Sequence, residues 1–209
     1  MAQPRFQRRK ENRPAEITAA ALEAFAENGY AATRVDEVAK RAGVSKGLLY
    51  LYFKTKEELF KAVIRSFISP RIDALISNIE KTELSAEEFL RGPFLEFACF
   101  IPRSPAKILL KLMVAEGPKH PELIAWYWDN VVSRGITALH TIIQRGVKNG
   151  EFRESALDEF PQLLVTPVFF SLLWTLLFQP HAQLDTDRFI AAHVDMVLAS
   201  IKAETVCSE

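Results

Sequence analysis

Apolar residues recur at three- and four-residue intervals along nearly the whole chain, and no stretch alternates convincingly with a period of two. That pattern predicts an all-α protein. Ile17, Ala21, Ala24 and Phe25 form one stripe. Pro14 stands where a first helical turn tolerates a missing N–H and Gly29 where a helix stops, so a helix is expected over 15–28. Val35, Val38, Ala39 and Ala42 make a second, two-turn helix ended by Gly43. Ser45 offers a capping hydroxyl to a third helix that runs to Phe53, with Leu49 and Phe53 facing inward. Thr55 and Glu58 have the spacing of a capping box for a fourth, which carries Leu59, Phe60, Val63, Ile64 and Phe67, with Pro70 as a kink before Ile72, Leu75, Ile76 and Ile79.

Further helices are expected over 85–101, 105–117, 121–149, 157–178 and 186–203, punctuated by Pro102, Pro105, Pro118, Pro121, Gly150 and Pro180. The stretch 160–180 lacks any charged side chain. Pro167, Gln162, Thr166 and Gln179 interrupt it, however, and its near flanks are acidic, which argues against a membrane span. A helix buried by its own core and by a partner subunit fits better. No internal repeat is visible.

Charge adds a direction to this plan. The chain is neutral overall, but residues 1–60 hold eleven Lys/Arg against eight Asp/Glu and the remainder fifteen against eighteen. The basic start, with Arg5, Arg8, Arg9, Lys10 and Arg13, suits a DNA-facing end. Cys99 and Cys207 lie far apart with no ligand-spaced histidine, so neither a metal site, a cofactor nor a disulfide framework is expected. Polar residues follow Arg8-Arg9 where an export signal needs an apolar run, and a cytoplasmic protein is the simplest reading.

A short helix, a tight turn at Gly43-Val44 and a third helix opened by Ser45 are the parts of a helix-turn-helix, whose second helix enters the major groove. Ser45, Lys46, Gly47, Leu48 and Tyr50 fall on its expected outer side. Here the sequence resembles the tetracycline-repressor (TetR) family, through Gly29-Tyr30-Ala31-Ala32-Thr33, Val35-Asp36-Glu37-Val38-Ala39, Ala42-Gly43-Val44-Ser45-Lys46-Gly47, Leu49-Tyr50-Leu51-Tyr52-Phe53 and Lys56-Glu57-Glu58-Leu59. The resemblance implies that Lys46 and Gly47 lie at the groove, that Tyr50 and Tyr52 touch phosphates or bases, and that Thr33 and Lys56 clamp the DNA backbone. Arg34 stands where the family commonly has a capping hydroxyl, which leaves that cap to Thr33. Leu48 replaces a usual small polar residue and is assigned to a thymine methyl.

The resemblance further implies a three-helix DNA-binding head over 1–57 and a helical ligand-binding and dimerisation body over 58–209. In that body Phe97, Phe100, Met113, Glu116, Trp128, Phe170 and Trp174 are candidates for contact with a small apolar or aromatic effector. Trp126, Tyr127 and Trp128 are consecutive and cannot all face one interior. Glu116 is a carboxylate on an apolar face that either turns to water beside Gly117-Pro118 or serves to orient a ligand or form an internal ion pair, and His140 is expected in the core. Leu164, Val168, Leu172 and Leu176, with Phe189, His193, Met196 and Val197, are the expected homodimer contacts. Pairing would hold two recognition helices about 34–36 Å apart for successive major grooves. The chain thus reads as a repressor that leaves a palindromic double-stranded operator when an effector binds, and not as an enzyme, since no catalytic signature is present. The alternative is a helical adaptor or lipid-binding module with a vestigial head.

Overall fold

The computed structural model describes residues 5–203, with side chains from Asn12 onward; of the basic start only Arg13 is described in full, and Cys207 lies outside. Helices α1 (Arg5–Ala32), α2 (Val35–Arg41), α3 (Lys46–Tyr52), α4 (Lys56–Phe67) and α5 (Ser69–Lys81) come first. Then follow α6 (Ala86–Phe89), α7 (Leu95–Arg103), α8 (Ala106–Glu116), α9 (Pro121–Tyr127), α10 (Ser133–Lys148), α11 (Ala156–Glu159), α12 (Thr166–Leu177) and α13 (Thr186–Ile201). A π-helical turn joins α6 to α7 over Leu90–Phe94 and another joins α9 to α10 over Trp128–Val132. The described residues contain no strand, only an isolated bridge between Phe152 and Lys202. The all-α reading holds.

Contacts divide the chain into two compact units. One gathers the residues up to Pro70 and takes the chain back over Ile108–Tyr127; the other gathers Arg71–Lys107 and Trp128 onward. In the first, the stripe of α1 buries Ile17, Ala21, Ala24 and Phe25 completely, and Val38, Ala39, Leu49, Leu59, Phe60 and Val63 close the core. Phe25, Tyr30 and Phe60 stack tilted or edge-on with ring centroids 5.0–5.6 Å apart, an arrangement that adds about 0.5–1.5 kcal/mol per pair beyond burial. Gly29 breaks the helical path at φ 79°, a region closed to side-chain-bearing residues at low cost.

Helix α1 begins at Arg5 rather than Ala15, and Pro14 lies inside it. Its first residues carry no apolar stripe, so periodicity had nothing there to register. The capping signals fare better. Ser45 Oγ accepts the Leu48 N–H at 3.1 Å, Thr55 Oγ1 accepts the Glu58 N–H at 3.0 Å, and Gly43 takes φ 63°. The box at Thr55 is only half formed, because Glu58 reaches past the cap to the Lys54 N–H at 2.6 Å.

The second unit is built around Phe89, Leu90 and Phe94, with Ile142 and Ile143 of α10, Leu164 and Leu172 around α12, and Ile190 and Val194 of α13, all buried. Gly146 is required there, since a Cβ would lie 2.3 Å from the Phe152 ring and 2.9 Å from Ala86. The helix expected over 157–178 is three pieces: α11, a 3-10 turn over Pro161–Leu164, and α12. Pro161 and Pro167, each lacking an N–H, both open a new segment. His140, expected in the core, is exposed. Among the described residues no helix is long and apolar enough to cross a membrane.

Candidate functional site

Helix α3 stands on Leu49 and Phe53, both buried, and points Ser45, Lys46, Gly47 and Tyr50 outward. Lys46 Nζ lies 2.7 Å from Asp36 on α2 and keeps its ammonium in solvent; the hydrogen bond to Asp36 raises its pKa. The pair braces α3 against α2 while leaving a cation displayed. Tyr52 is half-buried, its ring 6.4 Å from that of Phe53. Leu48 is half-buried too, and the large apolar side chain most displayed on α3 is Leu51, 67% exposed. The sequence carried that signal. Two residues past the inward Leu49 is about 200° round the helix, the outer face.

Helix α2 is held to α1 by Arg41, whose guanidinium takes both oxygens of Glu27 at 2.7 and 2.5 Å, with Glu23 and Glu37 each 3.6 Å away. The two-bond fork lowers the Glu27 pKa and raises that of Arg41. Arg34 is exposed at the N-cap of α2 without a side-chain cap. Thr33 does not supply one either. It is 2% exposed, and its single hydroxyl proton is shared between the carbonyls of Gly29 (2.6 Å) and Ala24 (3.1 Å), closing the end of α1 instead.

Lys56 behaves in a way its position at the start of α4 does not suggest. Its ammonium donates to the carbonyls of Tyr30 (2.9 Å), Ala31 (3.0 Å) and Thr33 (3.3 Å), and lies 4.7 Å from the centroid of the Tyr30 ring. Its three donors are thus matched by three main-chain acceptors. Burial lowers its pKa, and the Glu116 carboxylate pulls it partly back. Glu116 also meets Lys119 at 3.4 Å and lies 3.8 Å from where a Gly29 Cβ would be, while the His120 ring stands edge-on to Tyr30 at 5.0 Å. The Glu116 side chain is largely covered but its Lys119 partner is exposed, so this is a surface pair and not the internal ion pair expected. Burial, then the charges of Glu57 and Glu122, push the Tyr30 phenol up to about 12.

The expected effector residues do not gather at one place. Met113 is buried and, like Glu116, belongs to the first unit. Trp126 stacks under Arg65 at 4.9 Å, and burial pushes the Tyr127 phenol up to about 12. Trp128 begins the π-helical turn and is exposed. In the second unit Phe97 and Phe100 line one cleft. Phe170 and Trp174 form a separate ladder with Phe189 and Phe178, with centroids 5.2–5.6 Å apart.

The expected dimer residues divide in two. Leu164, Val168 and Leu172 are buried within their own unit and form core, not an interface. His193 donates its Nε2–H to the Leu163 carbonyl at 2.8 Å, and Phe189 and Val197 are half-covered. Leu176 and Met196, the latter 71% exposed, remain uncovered. They have company the sequence reading missed: Leu163, Phe169, Leu173 and Leu177 are all exposed, the last three with Leu176 on one side of α12.

Comparison with known proteins places the chain among regulators. The family model for bacterial regulatory proteins of the tetR family matches residues 17–63. The model for the C-terminal domain of AefR-like transcriptional repressors matches residues 88–200. A fatty acid metabolism regulator protein of Bacillus subtilis is 27% identical over 152 residues, 69% of this chain and 74% of that protein. The HTH-type transcriptional regulator YfiR of the same organism is 33% identical over 153 residues, 69% of this chain and 70% of that one. The structure of the transcriptional regulator FadR from Bacillus subtilis in complex with stearoyl-CoA is similar at a TM-score of 0.73, covering 90% of this chain and 98% of that one; at 22% identity this likeness is one of fold.

Proposed function

This chain belongs to the tetR family of bacterial regulatory proteins, and from that premise we propose that it is a dimeric repressor that leaves a palindromic operator when an apolar effector occupies its body. The observation that carries the DNA-reading part is α3 itself: capped by Ser45, seated on Leu49 and Phe53, and showing Lys46, Tyr50 and Leu51 to solvent. Residues 1–57 read DNA in this proposal, and 58–209 dimerise and sense.

The exposed stripe of Phe169, Leu173, Leu176 and Leu177, with Met196 of α13, is assigned to the partner subunit. So many large apolar side chains grouped together mark a contact surface. The effector class follows from the relatives, one named for fatty acid metabolism and one similar fold solved with stearoyl-CoA. An acyl chain matches a body so rich in leucine and phenylalanine.

Selection from random-sequence DNA with the purified protein tests the reading. A palindrome should be enriched, its affinity should fall steeply with salt, and long-chain acyl compounds should release it. Failure to enrich any palindrome removes the operator assignment. A reporter gene that rises in output when the protein is added removes repression.

A further inference from the structure

One cleft of the second unit serves neither its core nor the stripe assigned to a partner. Arg71 and Leu75 of α5 and Glu96, Phe97, Phe100 and Arg103 of α7 wall a space of ≈ 410 Å³, within the range of about 300–1,000 Å³ typical of small-molecule sites. Leu75 and the two phenyl rings make an apolar wall. The charges beside it are unequal in what they have left to give. Arg103 is committed to an ion pair with Asp187. Arg71 lies on the Phe100 ring, its guanidinium carbon 4.0 Å from the centroid, and among the described residues it has no carboxylate partner. Glu96 is exposed in the same lining and makes no ion pair with Arg71.

A guanidinium stacked on a ring uses its face and leaves its in-plane N–H fork unspent. An apolar wall next to an unspent fork is the pairing that recognises a hydrocarbon chain ending in an anionic head. We propose that this cleft is the effector subsite for a linear acyl chain with a carboxylate or phosphate head, and that Arg71 grips the head while Leu75, Phe97 and Phe100 hold the first part of the chain. The proposal rests on the effector-responsive reading above and adds a place and a charge requirement to it.

Cys99 also lines the cleft and is half-buried, so its thiol reports occupancy. With Cys207→Ser in the full-length protein, the rate of Cys99 alkylation is measured against increasing dodecanoate, dodecyl phosphate or dodecanol, and binding of each is measured separately by calorimetry. Either anion should slow alkylation, and dodecanol should do so only at about tenfold or higher concentration, as expected for one charge-assisted hydrogen-bonded contact. Protection by dodecyl phosphate alone identifies a phosphate head, and protection by dodecanoate alone a carboxylate. Arg71→Ala should raise the half-protecting concentration of the anion about tenfold without moving that of dodecanol, and Arg71→Lys should restore part of the loss. Arg71 is exposed, so matching thermal melts are expected to show these variants fold. If an anion binds by calorimetry but leaves Cys99 alkylated at the free rate, or binds Arg71→Ala as well as the parent, the cleft assignment falls and the effector reading stands. If none of the three binds the parent protein, both fall.

Discussion

Helices α3 and α12 are both short, at seven and twelve residues, and they are built on opposite plans. Helix α3 starts at a hydroxyl cap, buries one side and shows water the other. Helix α12 starts without a side-chain cap and is apolar on both sides, so that adjacent residues Leu172 and Leu173 are 2% and 44% exposed. The first is finished as it stands and awaits a polar ligand. The second has satisfied only half of its surface, and the other half remains unfavourably hydrated until something apolar covers it. Exposure has opposite meanings on the two helices, which is why it must be read together with the chemistry of what is exposed.

The sharpest test of that contrast is the Leu172 and Leu173 pair. Leu172→Ala should cost about 2–5 kcal/mol of unfolding free energy in denaturant titrations, as for a buried leucine. Leu173→Glu should leave the subunit folded by circular dichroism but split the dimer in sedimentation at micromolar concentration. Operator affinity should then drop at least about a hundredfold with the loss of the second, linked contact. If Leu173→Glu stays dimeric, the two sides of α12 have been read the wrong way round.

A smaller effect separates scaffold from ligand contact near α3. Lys56→Met leaves three main-chain carbonyls without their donor and should lower stability by about 1–3 kcal/mol. The dependence of DNA affinity on salt should keep its slope. A slope reduced by about one unit would instead put Lys56 on a phosphate. Ser45→Ala should cost about 1 kcal/mol through the lost cap, seen as a lower melting temperature. Leu51→Ala should change stability by under about 0.5 kcal/mol, as at other exposed sites. It should nonetheless shift which bases are enriched in DNA selection, and an unchanged preference would take Leu51 out of the interface.

The same contrast explains what the sequence made legible. Along α3 polar and apolar positions alternate with the helix, so the phase of the pattern names the outer face, and cap spacing names the start. Leu48 and Tyr52, both named as contacts, are half-buried, and Leu51, which was not named, is exposed. Along α12 the spacing that selected Leu164, Val168 and Leu172 is also the spacing of a core stripe, and a second apolar stripe runs beside it through Phe169, Leu173 and Leu176. Periodicity gives a repeat, not which of two stripes its own subunit takes. Lys56 was opaque for another reason: its acceptors lie 23 to 26 residues earlier in the chain. Phe97 and Phe100, two of the seven expected effector residues, do share a cleft, but Arg71 of the same lining stands on a different helix and carried no motif.

The joint at Lys56 also bears on how such a protein diverges. Because the end of α1 and the start of α4 are fastened through peptide oxygens, which every amino acid possesses, substitutions at Tyr30, Ala31 or Thr33 leave the acceptors in place. The outward residues of α3 are then free to drift toward new target sequences one at a time, with the frame that presents them inherited unaltered.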